Sequence, residues 1–289
     1  MRSLERIGKA TAWRRPGAAL AVACLGAWLL APAVVRAQGR ALTAGTAAAA
    51  KSPSAREQAP YDLTGYWTSV ITQNWQYRMV VPGPGEYADL PINAKAKQLA
   101  DAFRASADTA AGKQCEAYGA AALMRLPEHL HIHWQDADVL RVDTDAGMQT
   151  RLLHFRPAAA HAAPEASWQG WSAAKWVLAN AGGAAAGAAG AAGAPGAANA
   201  APVRYGSLQV ITDHLLPGLL RKNGVPYSAQ TKLTEWWDLR VEPEGDQWLT
   251  ITSTVVDPQY LQAPLIYDSI FQKLPDDSKW APAPCSLTS

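Results

Sequence analysis

From about residue 60 onward, apolar and polar residues alternate with a period of two through most of the chain. The stretches "HLHIHWQ", "VLRVDT", "MQTRLLHF", "SWQGWSAAKWVL", "SLQVITDHL", "TKLTEWWDLRVE", "QWLTITSTVV" and "LIYDSIFQKL" are rich in aromatic and β-branched residues. Successive side chains of a strand point to opposite faces, so this pattern predicts half-buried strands. "GYWTSVITQNWQYRMVV" reads as one more, stopped by Pro82-Gly83-Pro84-Gly85. One amphipathic helix interrupts the series near residues 94–105: after Pro91, Asn93 can cap "AKAKQLADAFRAS", with Leu99 and Phe103 on one side. Many short strands with tight turns predict a mainly β fold, an antiparallel β-barrel or a sandwich.

Binary pattern also chooses a register, because a slip of one residue exchanges the two faces of a strand. With Asp136-Ala137-Asp138 as the turn, Trp134 faces Leu140, His133 faces Arg141, Ile132 faces Val142 and His131 faces Asp143. A two-residue turn would instead drop Arg141 and Asp143 among apolar side chains, so the three-residue turn is preferred. Continuing through Asp145-Ala146-Gly147 sets Asp143 opposite Gln149 and Arg141 opposite Arg151. One face then carries His129, His131, His133, Arg141, Asp143, Gln149 and Arg151. The other carries Leu130, Ile132, Trp134, Leu140, Val142, Met148, Thr150 and Leu152, with His154 following on that apolar side.

Composition adds a compartment. Arg2, Arg6, Lys9, Arg14 and Arg15 precede the apolar run "GAALAVACLGAWLLAPAVV" and a small-residue pattern with Val35 and Ala37, which predicts a cleavable signal peptide over residues 1–37. Pro16 and Pro32 bracket a core too short for a comfortable transmembrane span, and no span is expected once the signal is removed. The formal charge of +2 belongs to that segment: removing its six basic residues and one glutamate leaves 20 basic against 23 acidic residues, a charge of −3. No basic patch with interleaved aromatics remains, which argues against a nucleic-acid partner. The expected localisation is the periplasm or the exterior.

Cys24 leaves with the signal, and the remaining Cys115 and Cys285 form an even pair in an oxidising compartment, which favours a disulfide. Residues 38–59 are small, polar and unpatterned and read as a flexible leader. The tract at 179–202 is nearly all alanine and glycine, with Pro195; it reads as a disordered insertion in a hairpin between "KWVL" and "GSLQVIT". Residues 60–289 are otherwise one β-rich domain.

The ordered fragments "DLTGYW", "LMRLP", "LRVDTDAG", "SWQGWS", "LLRKNGVPYS", "TKLTEWW" and "WLTITSTVVDPQYLQAP" with a late Cys resemble a broad group of uncharacterised exported bacterial β-rich proteins, over roughly residues 61–286. The Gly65-Tyr66-Trp67 start is also similar to the Gly-x-Trp opening of lipocalin-like barrels. The first resemblance implies no particular activity; the second implies a barrel whose tryptophan closes one end.

Candidate chemistry divides three ways. Alternating His129, His131 and His133 suggest a metal, but side chains two apart on a strand lie about 6.5 to 7 Å apart, and Arg141 and Arg151 across from them oppose a cation. No metal and no cofactor is therefore expected. His131 opposite Asp143 is a candidate acid-base pair, although no nucleophile motif accompanies it. Arg221 and Tyr227, in the loop "LLRKNGVPYS", can bind an anionic ligand head, together with the face residues Arg141, Gln149 and Arg151. Ten of 12 tryptophans survive signal removal; consecutive Trp236 and Trp237 point to opposite faces, so one of them is a candidate cavity wall. Glu235 and the Asp213-His214 pair read as surface charge. The function expected from these features is exported binding of a small apolar or amphipathic molecule in a β-barrel. The alternatives are an acid-base or metal-assisted enzyme using His131 and Asp143, and an envelope interaction protein without a small ligand.

Overall fold

The computed structural model describes residues 52–157, 164–179 and 205–288. The expected signal peptide, residues 1–37, and most of the Ala/Gly tract lie outside the described residues. Nine strands form a closed barrel: β1 (Gly65–Val70), β2 (His129–Trp134), β3 (Val139–Thr144), β4 (Thr150–His154), β5 (Trp171–Leu178), β6 (Gly206–Asp213), β9 (Lys232–Val241), β10 (Gln247–Val256) and β11 (Leu265–Lys273), while β7 (Gly218–Arg221) and β8 (Val225–Tyr227) make a separate hairpin. Around the barrel the order is β1-β11-β10-β9-β6-β5-β4-β3-β2, antiparallel except for the parallel pair β4 and β5. Pairing of β1 with both β11 and β2 closes the ring of strands. The mainly β barrel expected from the alternation is thus the fold found.

Among the described residues five short α-helices accompany the strands: α1 (Ala55–Gln58), α2 (Trp75–Arg78), α3 (Ala94–Ala102), α4 (Ala105–Ala110) and α5 (Ala120–Leu123), with a 3-10 turn over Gln114–Tyr118. Among the described residues, no helix is long and apolar enough to cross a membrane. α3 is the expected helix, and Asn93 Oδ1 accepts from the Ala96 amide at 3.0 Å. Its buried face is Ala96 and Ala100, however, and Leu99 is exposed. The long first stretch is a strand only as far as Val70; Asn74 takes a left-handed φ of 51° and turns the chain into α2. The end of the leader is ordered too: Ser54 and Glu57 form a capping box on α1, and the Ala55 amide donates to Asp138.

Inward-facing positions make the core. Trp67, Leu130, Ile132, Leu140, Val142, Leu153, Leu208, Val210, Trp237, Leu249, Ile251 and Phe271 are all buried in one cluster. The next layer along the axis is polar, with Arg151, Ser172, Thr212, Glu235, Ser253 and Ser269 buried. Beyond it, α5 closes the mouth: Ala120 to Met124 are buried, Ser269 Oγ donates to Met124 O at 2.5 Å and Tyr267 Oη donates to Ala121 O at 3.2 Å. A second cluster, including Tyr87, Leu90, Ala100, Leu220, Val225 and Tyr227, joins α3 and the β7–β8 hairpin to this end. Asp257 ties that region together, accepting from Ser228 N, Ser228 Oγ, Thr231 Oγ1 and Gln259 N at 2.6 to 3.0 Å.

The β2–β3 register is the one expected: His131 faces Asp143 and His133 faces Arg141. The β3–β4 register differs by one residue, with Asp143 opposite Thr150, Val142 opposite Arg151 and Arg141 opposite Leu152. The connection is four residues, because Gly147 and Met148 both take left-handed backbone, with φ of 73° and 52°. A Cβ on Gly147 would sit 2.3 Å from the Tyr118 ring, so the turn also requires glycine for space. One extra residue in the turn exchanges the faces of β4. Arg151 therefore points into the barrel and Leu152 and His154 point outward, where His154 stacks on Trp171 at 3.7 Å.

Candidate functional site

A cavity of about 240 Å³ lies outside the barrel, at the end that α5 plugs. Its walls come from α2 and the residues after it, the plug, the β3–β4 turn, β7 and the C-terminal tail, including Tyr77, Met79, Val80, Tyr118, Leu126, Gly147, Leu220 and Pro284. Arg78, Arg125, Arg221 and Lys222 also line it. Three of these cations rest on aromatic rings: Arg125 lies 5.1 Å from the Tyr267 centroid, Arg221 4.9 Å from Tyr77 and Lys222 4.7 Å from Tyr118. Cation–π contact is a means of holding a guanidinium out of water.

Asp89 accepts from Arg125 Nη2 at 2.9 Å and forms a still closer ion pair with Arg221. Arg78 Nε donates to a backbone carbonyl, Arg125 O, at 2.8 Å, and Lys222 Nζ donates to Tyr118 Oη at 2.8 Å. Burial, then repulsion from Arg125, pushes the Arg78 pKa down to about 10, still charged at neutral pH. Burial also lowers Arg221, against the pull of Asp89. For Asp89 itself, burial opposes ionisation, but Arg221 and Arg125 outweigh it and hold the carboxyl below its ordinary range. The wall thus combines an apolar surface with three guanidiniums, two of them paired to the single carboxylate of Asp89.

A second cavity, of about 350 Å³, adjoins the first through Pro127, Ala146 and Ala283. Thr68, Ser69, Glu128, His129 and Asp145 line it. His129 Nδ1 lies 2.6 Å from Asp145 Oδ2, a contact that orients the ring. Asp145 Oδ1 accepts from the His129 amide at 2.7 Å. Glu128 is buried, and neither carboxyl oxygen has a hydrogen-bond partner. Burial, reinforced by Asp145, raises its pKa well above the ordinary carboxylate range despite Arg151 and Arg78.

The tail that covers both cavities is held by the Cys115–Cys285 disulfide and by the Ala283 amide, which donates to Asp145 O at 2.9 Å. No family model, curated protein or solved structure matches this chain.

The residues singled out in the sequence disperse. Arg221 lines the first cavity, whereas Tyr227 is wholly buried in the second core cluster. Arg151 is inside the barrel, bound to Glu235 through Nη1 at 3.0 Å and Nη2 at 2.6 Å, which makes Glu235 a core residue and not surface charge. Gln149 lies beside the disulfide, its Nε2 donating to Gly147 O at 2.6 Å and its Oε1 accepting from Gln169 at 3.0 Å. Trp237 fills the barrel and Trp236 faces outward, on opposite faces as expected, and neither lines either cavity. Asp213 and His214 bond to each other at the surface.

His131 and Asp143 are neighbours in register, but Asp143 accepts from Arg141 Nε at 2.9 and 3.0 Å and from Thr150 Oγ1 at 2.5 Å. At this end of the β2–β3 ladder the hydrogen-bonded His–Asp pair is instead His129 with Asp145, just beyond the pairing of Leu130 with Thr144. Continuing the register past His131 and Asp143 would have found it, had Asp145 not been assigned wholly to the turn. Neither Arg78 nor Arg125 was singled out as a site residue by the sequence pattern, and the fold brings them together.

Proposed function

We propose that this is an exported binding protein for a small amphipathic anion, held in the cavity at the plugged barrel mouth. The supporting observation is the gathering of Arg78, Arg125 and Arg221 on an otherwise largely apolar wall, with Asp89 as ion-pair partner to two of them. Desolvated like charges repel, and an anion placed among them converts that cost into charge-assisted hydrogen bonds. Apolar side chains such as Met79, Leu126 and Leu220 would cover the body of such a ligand. At about 240 Å³ the cavity is smaller than the roughly 300 to 1,000 Å³ of drug-sized sites, so the ligand is compact. The reading moves the ligand from the barrel lumen, which Trp67, Trp237, Phe271 and α5 occupy, to its mouth.

Octanoate and octanol, titrated into the protein by calorimetry, test this. Octanoate should bind and the uncharged octanol should bind at least about 10-fold more weakly, as one lost charge-assisted hydrogen bond of ~1.5 to 3 kcal/mol requires. Arg78→Met should weaken octanoate by a similar factor. Equal binding of acid and alcohol, or an Arg78→Met variant that binds octanoate as wild type does, would sink the proposal.

A second reading, acid-base chemistry, draws support from the adjoining cavity, where the His129–Asp145 pair and the buried Glu128, its pKa raised by burial, share one wall. There His129 would serve as base and Glu128 as acid. Loss of turnover in His129→Gln with ligand binding intact would separate it from the first.

A further inference from the structure

A different face of the barrel carries a third arrangement. His131, His133 and Asp143, side by side on β2 and β3, each present a ligand atom within 4.8 Å of the others. The His131 and His133 ring centroids are 4.6 Å apart, and His133 Nδ1 lies 3.9 Å from Asp143 Oδ2. His133 Nδ1 is out of contact with solvent and has no hydrogen-bond partner. A buried ring nitrogen left unpaired is costly unless something completes it.

The geometry points to a binding site for a divalent transition-metal ion of the zinc class, ligated by His131, His133 and Asp143. Zinc bonds to imidazole and carboxylate are about 2.0 to 2.2 Å long, so donors 3.9 Å apart can reach one ion with little movement. Three protein ligands would leave a tetrahedral ion one position for water.

The objection raised by the sequence, two arginines across from the histidines, is halved by the β3–β4 register. Arg151 is inside the barrel with Glu235, leaving Arg141. Arg141 is itself neutralised by Asp143. Asp143 Oδ2 accepts from Arg141 Nε and, having two lone pairs, retains one on the side of His133. The other charged group acting on His131 is Asp277, which also favours a cation. Tyr66 stacks on His131 at 4.3 Å, and Trp280 meets Tyr66 edge-on at 5.9 Å, so the ring is held in place by packing. Strand-borne ligands held this way are pre-positioned.

Zinc titrated by calorimetry into untagged, chelator-treated full-length protein, with cobalt as a spectroscopic probe, tests the site. One equivalent should bind, and cobalt should show visible ligand-field absorption. His131→Ala and His133→Ala should each weaken zinc at least about 10-fold, while His214→Ala, at the exposed Asp213 pair, should not. His133→Gln replaces His133→Ala if circular dichroism shows the alanine variant unfolded. Absence of stoichiometric zinc binding to the wild type, or undiminished binding in a folded His131→Ala/His133→Gln double variant, would overturn the assignment.

Discussion

Arg151 and Glu235 form a two-pronged ion pair inside the barrel, at 3.0 and 2.6 Å, with both side chains wholly removed from solvent. Burial alone would lower the arginine pKa, yet Glu235 more than offsets it and holds the guanidinium charged. Removing one partner strands the other charge in the core, at a cost of roughly 3 to 5 kcal/mol. Glu235→Gln and Arg151→Met should each lower stability by about that amount in urea unfolding. The paired Arg151→Met/Glu235→Leu variant should recover most of it, because apolar replacement of a whole buried pair is often neutral or stabilising. Single variants as stable as wild type would refute this account.

That pair also marks the limit of what alternation can reveal. Leu130, Ile132, Leu140 and Val142 are apolar at every second position, and they placed β2 and β3 correctly. "TRLLH" offers no such guide, since Leu152 and Leu153 lie on opposite faces and either can be the inner one. The turn decided the matter, and its length depended on Met148 adopting left-handed backbone, which a non-glycine residue rarely does. The arginine-lined cavity was less legible still. It brings together Arg78, Arg125 and Arg221 from distant parts of the chain, and no local pattern encodes that meeting. By contrast, Cys115 and Cys285 needed only compartment logic.

Glu128 should make stability fall as pH rises. Its folded pKa is raised, so the folded state holds the proton more tightly than the unfolded chain. The resulting stabilisation is fully present below the ordinary carboxylate range and is lost as pH climbs from there toward the raised folded value. Glu128→Gln abolishes that titration. Its urea midpoint should rise relative to wild type between pH 4 and pH 7; parallel midpoint curves would show that Glu128 is not held neutral.

Asp257 is the anchor for the loops around the β7–β8 hairpin, with Ser228, Thr231, Gln259 and Tyr260 all donating to it. Asparagine keeps the shape but turns one acceptor into a donor and removes the charge that strengthens the remaining bonds. Asp257→Asn should therefore cost at least about 2 kcal/mol. Hydrogen exchange should localise the loosening to residues 228–231 and 257–261, while the barrel amides stay protected. Uniform loss of protection across the barrel would assign Asp257 a global role instead.

The disulfide couples stability to the cavities. Cys115 lies in the 3-10 turn before the plug and Cys285 in the tail, a separation of 170 residues, and the tail residues Ala283 and Pro284 form part of the wall of the arginine-lined cavity. The chain-entropy model values closure of a loop that long at about 4 to 5 kcal/mol. Loss of the bond also releases the segment whose Ala283 amide binds Asp145 O, leaving both cavities open on one side. The Cys115→Ser/Cys285→Ser variant should show a lower urea midpoint and weaker octanoate binding. Arg78→Met, which leaves the tail attached, should weaken octanoate with a smaller effect on stability. A cysteine-free variant that binds octanoate at full strength would show that the tail is not part of the binding wall.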